Sequence, residues 1–268
     1  PCVLTIAGSD SGAGAGIQAD IRTIHALGGY ACTAITAITA QNTRGVKEWQ
    51  PISAPRIAAQ VNAVLDDFPI AAIKTGLLPS PAAVRAVVQA IRMHSRLPLV
   101  IDPVLGSTSG TRFLSAAGVR ILQRELFPLA TLVTPNWPEA AVLAGRRVGN
   151  FAEAEVAALE LAAKFGCAIL LKGGHAPGGL CRDCLVTGKN RVRWFESGRV
   201  ATRNTHGTGC VISSAIAIFL AQGEQPLAAV ARAHAFLQKS LRAGRSCRWG
   251  GGTGPAFAGG APLGPRRS

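Results

Sequence analysis

Short runs of apolar residues alternate along this chain with longer stretches in which apolar positions recur every three or four residues. Residues 3–7 read as a strand. After a glycine-rich loop, Ile17, Ile21, Ile24 and Leu27 fall on one face of a helix over 17–27. The β-branched stretch 33–39 predicts a strand, 55–65 a helix, and 71–74 a short strand ending at Thr75-Gly76. A helix over 84–93 and an apolar strand over 97–101, stopping at Asp102-Pro103, complete the first half.

The second half continues in the same style. A strand over 129–133 stops at Thr134-Pro135-Asn136, and Pro138 and Glu139 open a helix. A helix over 152–164 leads to a strand over 168–171, ending at Lys172-Gly173-Gly174-His175. Residues 185–186, 192–195 and 199–202 predict short antiparallel edge strands, and 210–221 and 227–241 predict two closing helices. Strands alternating with helices make an α/β fold: a mainly parallel central sheet, helices on both faces, and a small antiparallel edge. From Gly244 the chain turns Gly/Pro/Arg-rich and reads as an irregular, mobile tail over 244–268.

The polar and glycine-rich signals fall just after strand ends. They are residues 8–16, Gln41-Asn42, Thr75-Gly76, Asp102, residues 134–139 and residues 172–175. Open α/β sheets bind ligands at that edge, so these residues converge on one crevice.

With 268 residues, 48% of them hydrophobic, the chain is long enough for one large domain. The longest apolar run, 211–221, falls short of the roughly 20 residues that a spanning helix needs, and a cytoplasmic protein is the expectation, with no membrane partner. A net charge of +14 raises nucleic-acid binding, but the basic residues are spread singly. The expected partners are small anions and not nucleic acid. The seven cysteines read as reduced, with Cys181 and Cys184 of the one C-x-x-C in a solvent loop.

Asn204-Thr205-His206-Gly207-Thr208-Gly209-Cys210 stands before a strongly apolar helix. Free N–H groups and the positive dipole end favour an anion there, and the glycines let the backbone approach it. Phosphoryl transfer needs this kind of site, because its catalysis is mostly positioning and charge neutralisation. The helix end would lower the Cys210 thiol pKa and suit it to act as a base; a plain glycine-rich helix start with a buried cysteine is the alternative. The loop from Gly8 to Asp20 fits neither a dinucleotide fingerprint nor a P-loop, having Ile17 where glycine is required and no Gly-Lys-Ser/Thr. It could instead let a flat ring lie against the backbone, with Asp20 as a ring contact or simply a solvated carboxylate. Asp102 and Glu139 are placed to meet Mg²⁺ or a phosphate, and Lys172 to neutralise one. Asn136 could act with Glu139 or simply cap its helix.

These residues resemble the hydroxymethylpyrimidine/phosphomethylpyrimidine kinases of the ribokinase-like superfamily. The resemblance runs through LTIAGSDSGAGAGIQADIRT, TAQNTRGV, KTGLL, IDPV, LVTPNWPEA, LLKGGH and NTHGTGC, and covers roughly 3–243, read as a single kinase domain over 1–243. It implies ATP-dependent phosphorylation of 4-amino-5-hydroxymethyl-2-methylpyrimidine, first to the monophosphate and then to the pyrophosphate used for thiamine. Gln41 and Asp20 would contact the pyrimidine, with Gly8, Val104 and Leu77 lining its pocket. Gln41 is apt, since an amide offers both a donor and an acceptor. Gly207, Thr208, Gly209 and Cys210 would form the anion hole, with Cys210 as base. Asp102 and Glu139 would serve Mg²⁺, and Lys172, Thr205 and Asn136 the ATP. The family also implies a homodimer.

Three segments depart from the family's usual wording: Ser11-Gly12-Ala13-Gly14, the lid segment Leu105-Gly106-Ser107-Thr108-Ser109-Gly110, and Gly252-Thr253-Gly254-Pro255. A pyridoxal-type vitamer kinase of the same fold, or a ligand-binding relative without turnover, are the competing readings.

Overall fold

The computed structural model describes residues 1–93, 97–106, 110–174, 178–188 and 191–257. His94, Ser107, Thr108, Ser109 and His175 lie outside the described residues. The strands are β1 (Cys2–Asp10), β2 (Tyr30–Asn42), β3 (Gly45–Pro51), β4 (Ile70–Thr75), β5 (Leu99–Ile101), β6 (Leu132–Val133), β7 (Ala168–Leu171), β8 (Leu180–Thr187) and β9 (Arg191–Gly198). The helices are α1 (Gly16–Ala26), α2 (Ala54–Leu65), α3 (Pro81–Met93), α4 (Ala116–Ile121), α5 (Trp137–Ala144), α6 (Phe151–Phe165), α7 (Thr208–Ala221) and α8 (Pro226–Gly244).

One sheet of order β3-β2-β1-β4-β5-β6-β7-β8-β9 runs through the molecule. Strands β2, β1, β4, β5, β6 and β7 are parallel to one another; β3 closes one edge and β8–β9 the other, all antiparallel. Alternation along each strand feeds two cores. Leu4, Ile6, Ile73, Leu99, Ile101, Val133, Ile169 and Leu171 pack under α2 to α6. Val3, Ala72, Val100, Leu132 and Leu170 pack under α1, α7 and α8. Because α7 is apolar all round it is buried almost throughout, from Cys210 to Leu220. No helix among the described residues is long and apolar enough to cross a membrane.

Several local expectations change. Strand β3 escapes the sequence pattern because Gly45–Pro51 carries Lys47 and Glu48 on a half-exposed edge. Residues 199–202 form no strand, and of 129–133 only Leu132–Val133 pairs, after a 3-10 turn over Phe127–Leu129. Cys181 and Cys184 lie on β8, not in a loop, and Cys184 is buried in the core. Their odd separation sends them to opposite faces of the sheet, so they cannot share a ligand.

The tail is tied down at least to residue 257. His206 N donates to Gly254 O (3.0 Å), Ala256 N to His206 O (2.9 Å) and Thr253 N to Thr43 O (2.8 Å), and Ala256 is buried. Asn204 Nδ2 holds the tail's start through Gly244 O (2.7 Å) and Cys247 O (2.8 Å). The bonds of residues 253–256 join backbone to backbone, which residue type does not reveal.

In the β1–α1 loop, Ala13 has φ of 56°, left-handed backbone that disfavours a Cβ. Ala13→Gly is expected to relieve this strain and raise unfolding stability by about 1 kcal/mol, read as a higher urea midpoint at unchanged m-value.

Candidate active site

The site is built at the C-terminal ends of the parallel strands. Helix α7 is capped by Gly207, whose φ of 77° and close approach to the Gly14 carbonyl leave no room for a side chain; a Cβ there would lie 1.9 Å from that oxygen. The glycine-rich loop is thereby clamped against the helix start. Asp10 holds the loop from inside, accepting from Gly12 N (2.8 Å), Gly14 N (3.0 Å), Ala15 N (2.8 Å) and His206 Nε2 (3.0 Å). Burial pushes its carboxyl up, but the His206 bond and the loop amides outweigh burial and hold it below the usual range.

Across the crevice, Lys172 Nζ donates to Asp102 Oδ1 (2.7 Å), which also lies 3.3 Å from Thr134 Oγ1. This pair faces the first turn of α7: a Cβ on Gly209 would sit 3.2 Å from Lys172 Nζ and 3.4 Å from Asp102 Oδ2. A cation, a carboxylate and a helix N-terminus with free N–H groups thus meet within a few ångströms. Burial would lower the Lys172 pKa, but Asp102 and Glu139 more than offset it and raise it, so the ammonium stays charged.

Asn136 and Glu139 form a capping box on α5: Asn136 Oδ1 accepts from Glu139 N (2.9 Å), and Glu139 Oε2 from Asn136 N (2.8 Å). The Asn136 oxygen is therefore spent on capping. Glu139 is buried, and its pKa is raised to about 7, by burial first and then by Asp102, against the lowering effect of Lys172. Thr205 lies exposed just before the helix start. Gly8, Leu77 and Val104 do come together: Leu77 packs in a small cluster with Ala37 and Phe113, with Val104 and Trp49 against it. A Cβ on Gly8 would lie 3.0 Å from Leu77 Cδ2. Trp49, on the unforeseen β3, adds an aromatic wall.

Two expectations are corrected. Asp20 is no ring contact. It is fully buried, and its carboxylate is saturated by Lys74 Nζ (2.8 and 3.0 Å), Thr5 Oγ1 (2.5 Å) and Ser214 Oγ (2.6 Å). It sits behind the pocket and holds Lys74, a residue that the sequence marked only as the end of a strand. Burial alone would push Lys74 down, but Asp20, with Cys210 and Asp102 beyond it, raises its pKa. The second correction concerns Cys210. Burial pushes its thiol up to about 12, overriding Lys74 and the backbone hydrogen bond from Gly16, so it rests protonated.

Fold and site together define a ribokinase-like small-molecule kinase. The phosphomethylpyrimidine kinase family model matches residues 10–256, and the chain belongs to that family. A hydroxymethylpyrimidine/phosphomethylpyrimidine kinase from Rhizobium meliloti (strain 1021) is 44% identical over 253 residues, 94% of each chain. A crystal structure of a phosphomethylpyrimidine kinase from Clostridium difficile 630 matches with TM-score 0.78 and 36% identity, covering 90% of this chain and 99% of the other. An ADP complex of Bacillus subtilis pyridoxal kinase matches with TM-score 0.87 and 31% identity, covering 96% and 97%.

Removing one partner of a fully buried ion pair strands the other charge. Lys74→Met is expected to destabilise the protein by about 3–5 kcal/mol in urea unfolding, while Lys74→Met combined with Asp20→Leu regains most of that loss.

Proposed function

We propose that this kinase transfers the γ-phosphoryl group of ATP to the hydroxymethyl oxygen of 4-amino-5-hydroxymethyl-2-methylpyrimidine, and then phosphorylates the monophosphate to the pyrophosphate that thiamine biosynthesis uses. The observation that carries this reading is the Lys172–Asp102 pair set against Gly209 at the start of α7. A phosphoryl group there meets backbone N–H donors on one side and an ammonium on the other, the arrangement that steadies charge spread over its oxygens. Thr205 and Asn136, beside it, are assigned to the nucleotide.

Among the described residues no group of three or more His, Cys, Asp and Glu is placed to hold a metal ion. Mg²⁺ needs less, binding through one or two carboxylates plus nucleotide phosphates and waters. Asp102 and Glu139 fit that donor set, and the ion would neutralise charge on the phosphates. The aminopyrimidine lies between Gly8, Leu77 and Val104, with the Gln41 amide reading its edge. Cys210 takes the hydroxymethyl proton as its thiolate, a minor form at neutral pH that the buried Lys74 ammonium favours. The oxygen gains the phosphoryl group, ADP leaves, and the proton ends on Sγ. A homodimer in the cytoplasm is the assembly that family membership supports.

The pyridoxal kinase likeness gives a second reading, in which a pyridoxal-type vitamer is the main acceptor. Mass spectrometry of products after incubation with Mg·ATP and hydroxymethylpyrimidine, its monophosphate or pyridoxal separates the two. The expected products are mono- and then diphosphorylated pyrimidine; phosphorylated pyridoxal as the dominant product would shift the assignment. If Cys210 must ionise, kcat is expected to climb about tenfold per pH unit above neutral, because burial pushes the thiol up to about 12. Cys210→Ala is expected to remove this climb and lower kcat by about 10²-fold or more. A flat wild-type profile would mean that the proton leaves by another route.

A further inference from the structure

Gln41 does not stand alone in the crevice. The ends of its amide lie 3.0 Å from His206 Nε2 and 3.4 Å from Thr39 Oγ1. The same His206 nitrogen is 3.0 Å from Asp10 Oδ2, and Thr39 Oγ1 is 3.0 Å from the Ser9 carbonyl. These four contacts leave little freedom for the protons between them.

Asp10 Oδ2 already accepts from Gly14 N and Ala15 N, and a carboxylate held below its usual range can only accept. His206 Nε2 therefore carries a proton and donates it to Asp10. The Ser9 carbonyl is likewise an acceptor only, so the single hydroxyl proton of Thr39 goes there. With the Gln41 nitrogen toward His206, an N–H would face an N–H. At the other end the amide oxygen would face a hydroxyl whose proton is already used, and both contacts would repel. Turning the amide over removes both repulsions: the carbonyl shares the His206 Nε2–H with Asp10 Oδ2 in a three-centre bond, and the NH₂ donates to a Thr39 lone pair.

We propose that His206, anchored on Asp10 and assisted by Thr39, fixes the Gln41 amide with its carbonyl toward the histidine, and so sets the order of donor and acceptor that the pocket offers a ring. His206 is a specificity-determining positioning residue that acts through Gln41. Its ring lies so close over Gly14 that a Cβ there would be 2.2 Å from Cδ2, and its backbone is pinned on both sides by Gly254 and Ala256. One N–H and one oxygen lone pair of Gln41 remain for the ligand. A 4-aminopyrimidine carries an amine donor beside a ring-nitrogen acceptor and matches that ordered pair.

This rests on the reading of Gln41 as the contact to an aminopyrimidine, and the test separates the two claims. Nitrogen-15 NMR of the full chain, without substrate, reads the His206 tautomer. A proton on Nε2 is expected, and a neutral ring protonated only on Nδ1 would overturn the proposal. In parallel, kcat/KM is compared for hydroxymethylpyrimidine and for 5-hydroxymethyl-2-methylpyrimidine, which lacks only the amine. His206→Gln restores an N–H donor at similar reach and is expected to keep the wild-type ratio within about threefold. His206→Met removes the donor and lets the NH₂ end turn toward Asp10. It is expected to cut the advantage of the aminopyrimidine roughly tenfold, mainly through its KM. Equal losses on both compounds in His206→Met would reduce His206 to a scaffold for the loop and sink the proposal. Failure of the wild type to phosphorylate the pyrimidine at all would refute the substrate reading, and the tautomer measurement would still decide the orientation of Gln41.

Discussion

Directly beneath the crevice, Lys74 and Asp20 face one another with no solvent contact on either side chain. Their bond joins β4 to α1, and the Thr5 and Ser214 hydroxyls bring β1 and α7 into the same network. Four elements that carry site residues are registered against each other by one carboxylate. Apolar packing could hold these elements together, but it is non-directional and would fix their relative positions less sharply. A saturated buried carboxylate tolerates only a narrow geometry, because each displaced donor leaves unpaired charge in a low-dielectric interior. The same ammonium lies close enough to Cys210 to favour its thiolate against burial.

Around this anchor the crevice divides its work between fixed charge and fixed backbone. Lys172 and Asp102 face the opening turn of α7 as an already paired unit, so the site proposed for the phosphoryl group has its charges in place. Asp10 does the corresponding task for the glycine-rich loop, gathering three backbone N–H groups and one histidine. The tail closes the arrangement, tying Thr43 in the β2–β3 turn and His206 in the helix-start motif to residues 253–256. Two of the segments that depart from the family's usual wording, at Ala13 and at Thr253, fall in these loop and tail supports.

The sequence alone yielded the order of the parallel strands and of most helices between them, though not β3 or α4, together with both closing helices and the run of polar residues at the strand ends, because each rests on local periodicity or on glycine and proline at fixed places. Residues 168–171 are found as a strand as expected, and 55–65 falls within α2. The motif around Gly207 and Gly209 was legible for a related reason: a helix N-terminus is a local object whose chemistry follows from its own backbone. What periodicity could not carry was edge and tail structure. Strand β3 is polar and half-exposed, and the tail over 253–256 is held mostly by main-chain hydrogen bonds that leave no trace in residue type.

The roles of individual ionisable residues were decided elsewhere. Asp20 one turn into a helix looks the same in sequence whether it faces a ligand or a buried lysine; only the crossing of β1, β4 and α7 beneath it settles which. The position of Cys210 at a helix N-terminus argued for a depressed pKa, yet the depth of α7 in the core raised it, since desolvation depends on every element packed around the thiol. His206 and Gln41 are separated by 165 residues and meet only when the loop, β2 and the tail close together. By itself the sequence determined the fold class and the place of the crevice, which follow from local pattern, and its motifs carried the resemblance to the family. Which charges are paired, how deeply a thiol is buried and which side chains meet at Gln41 are properties of long-range contact, and only the tertiary structure decided them.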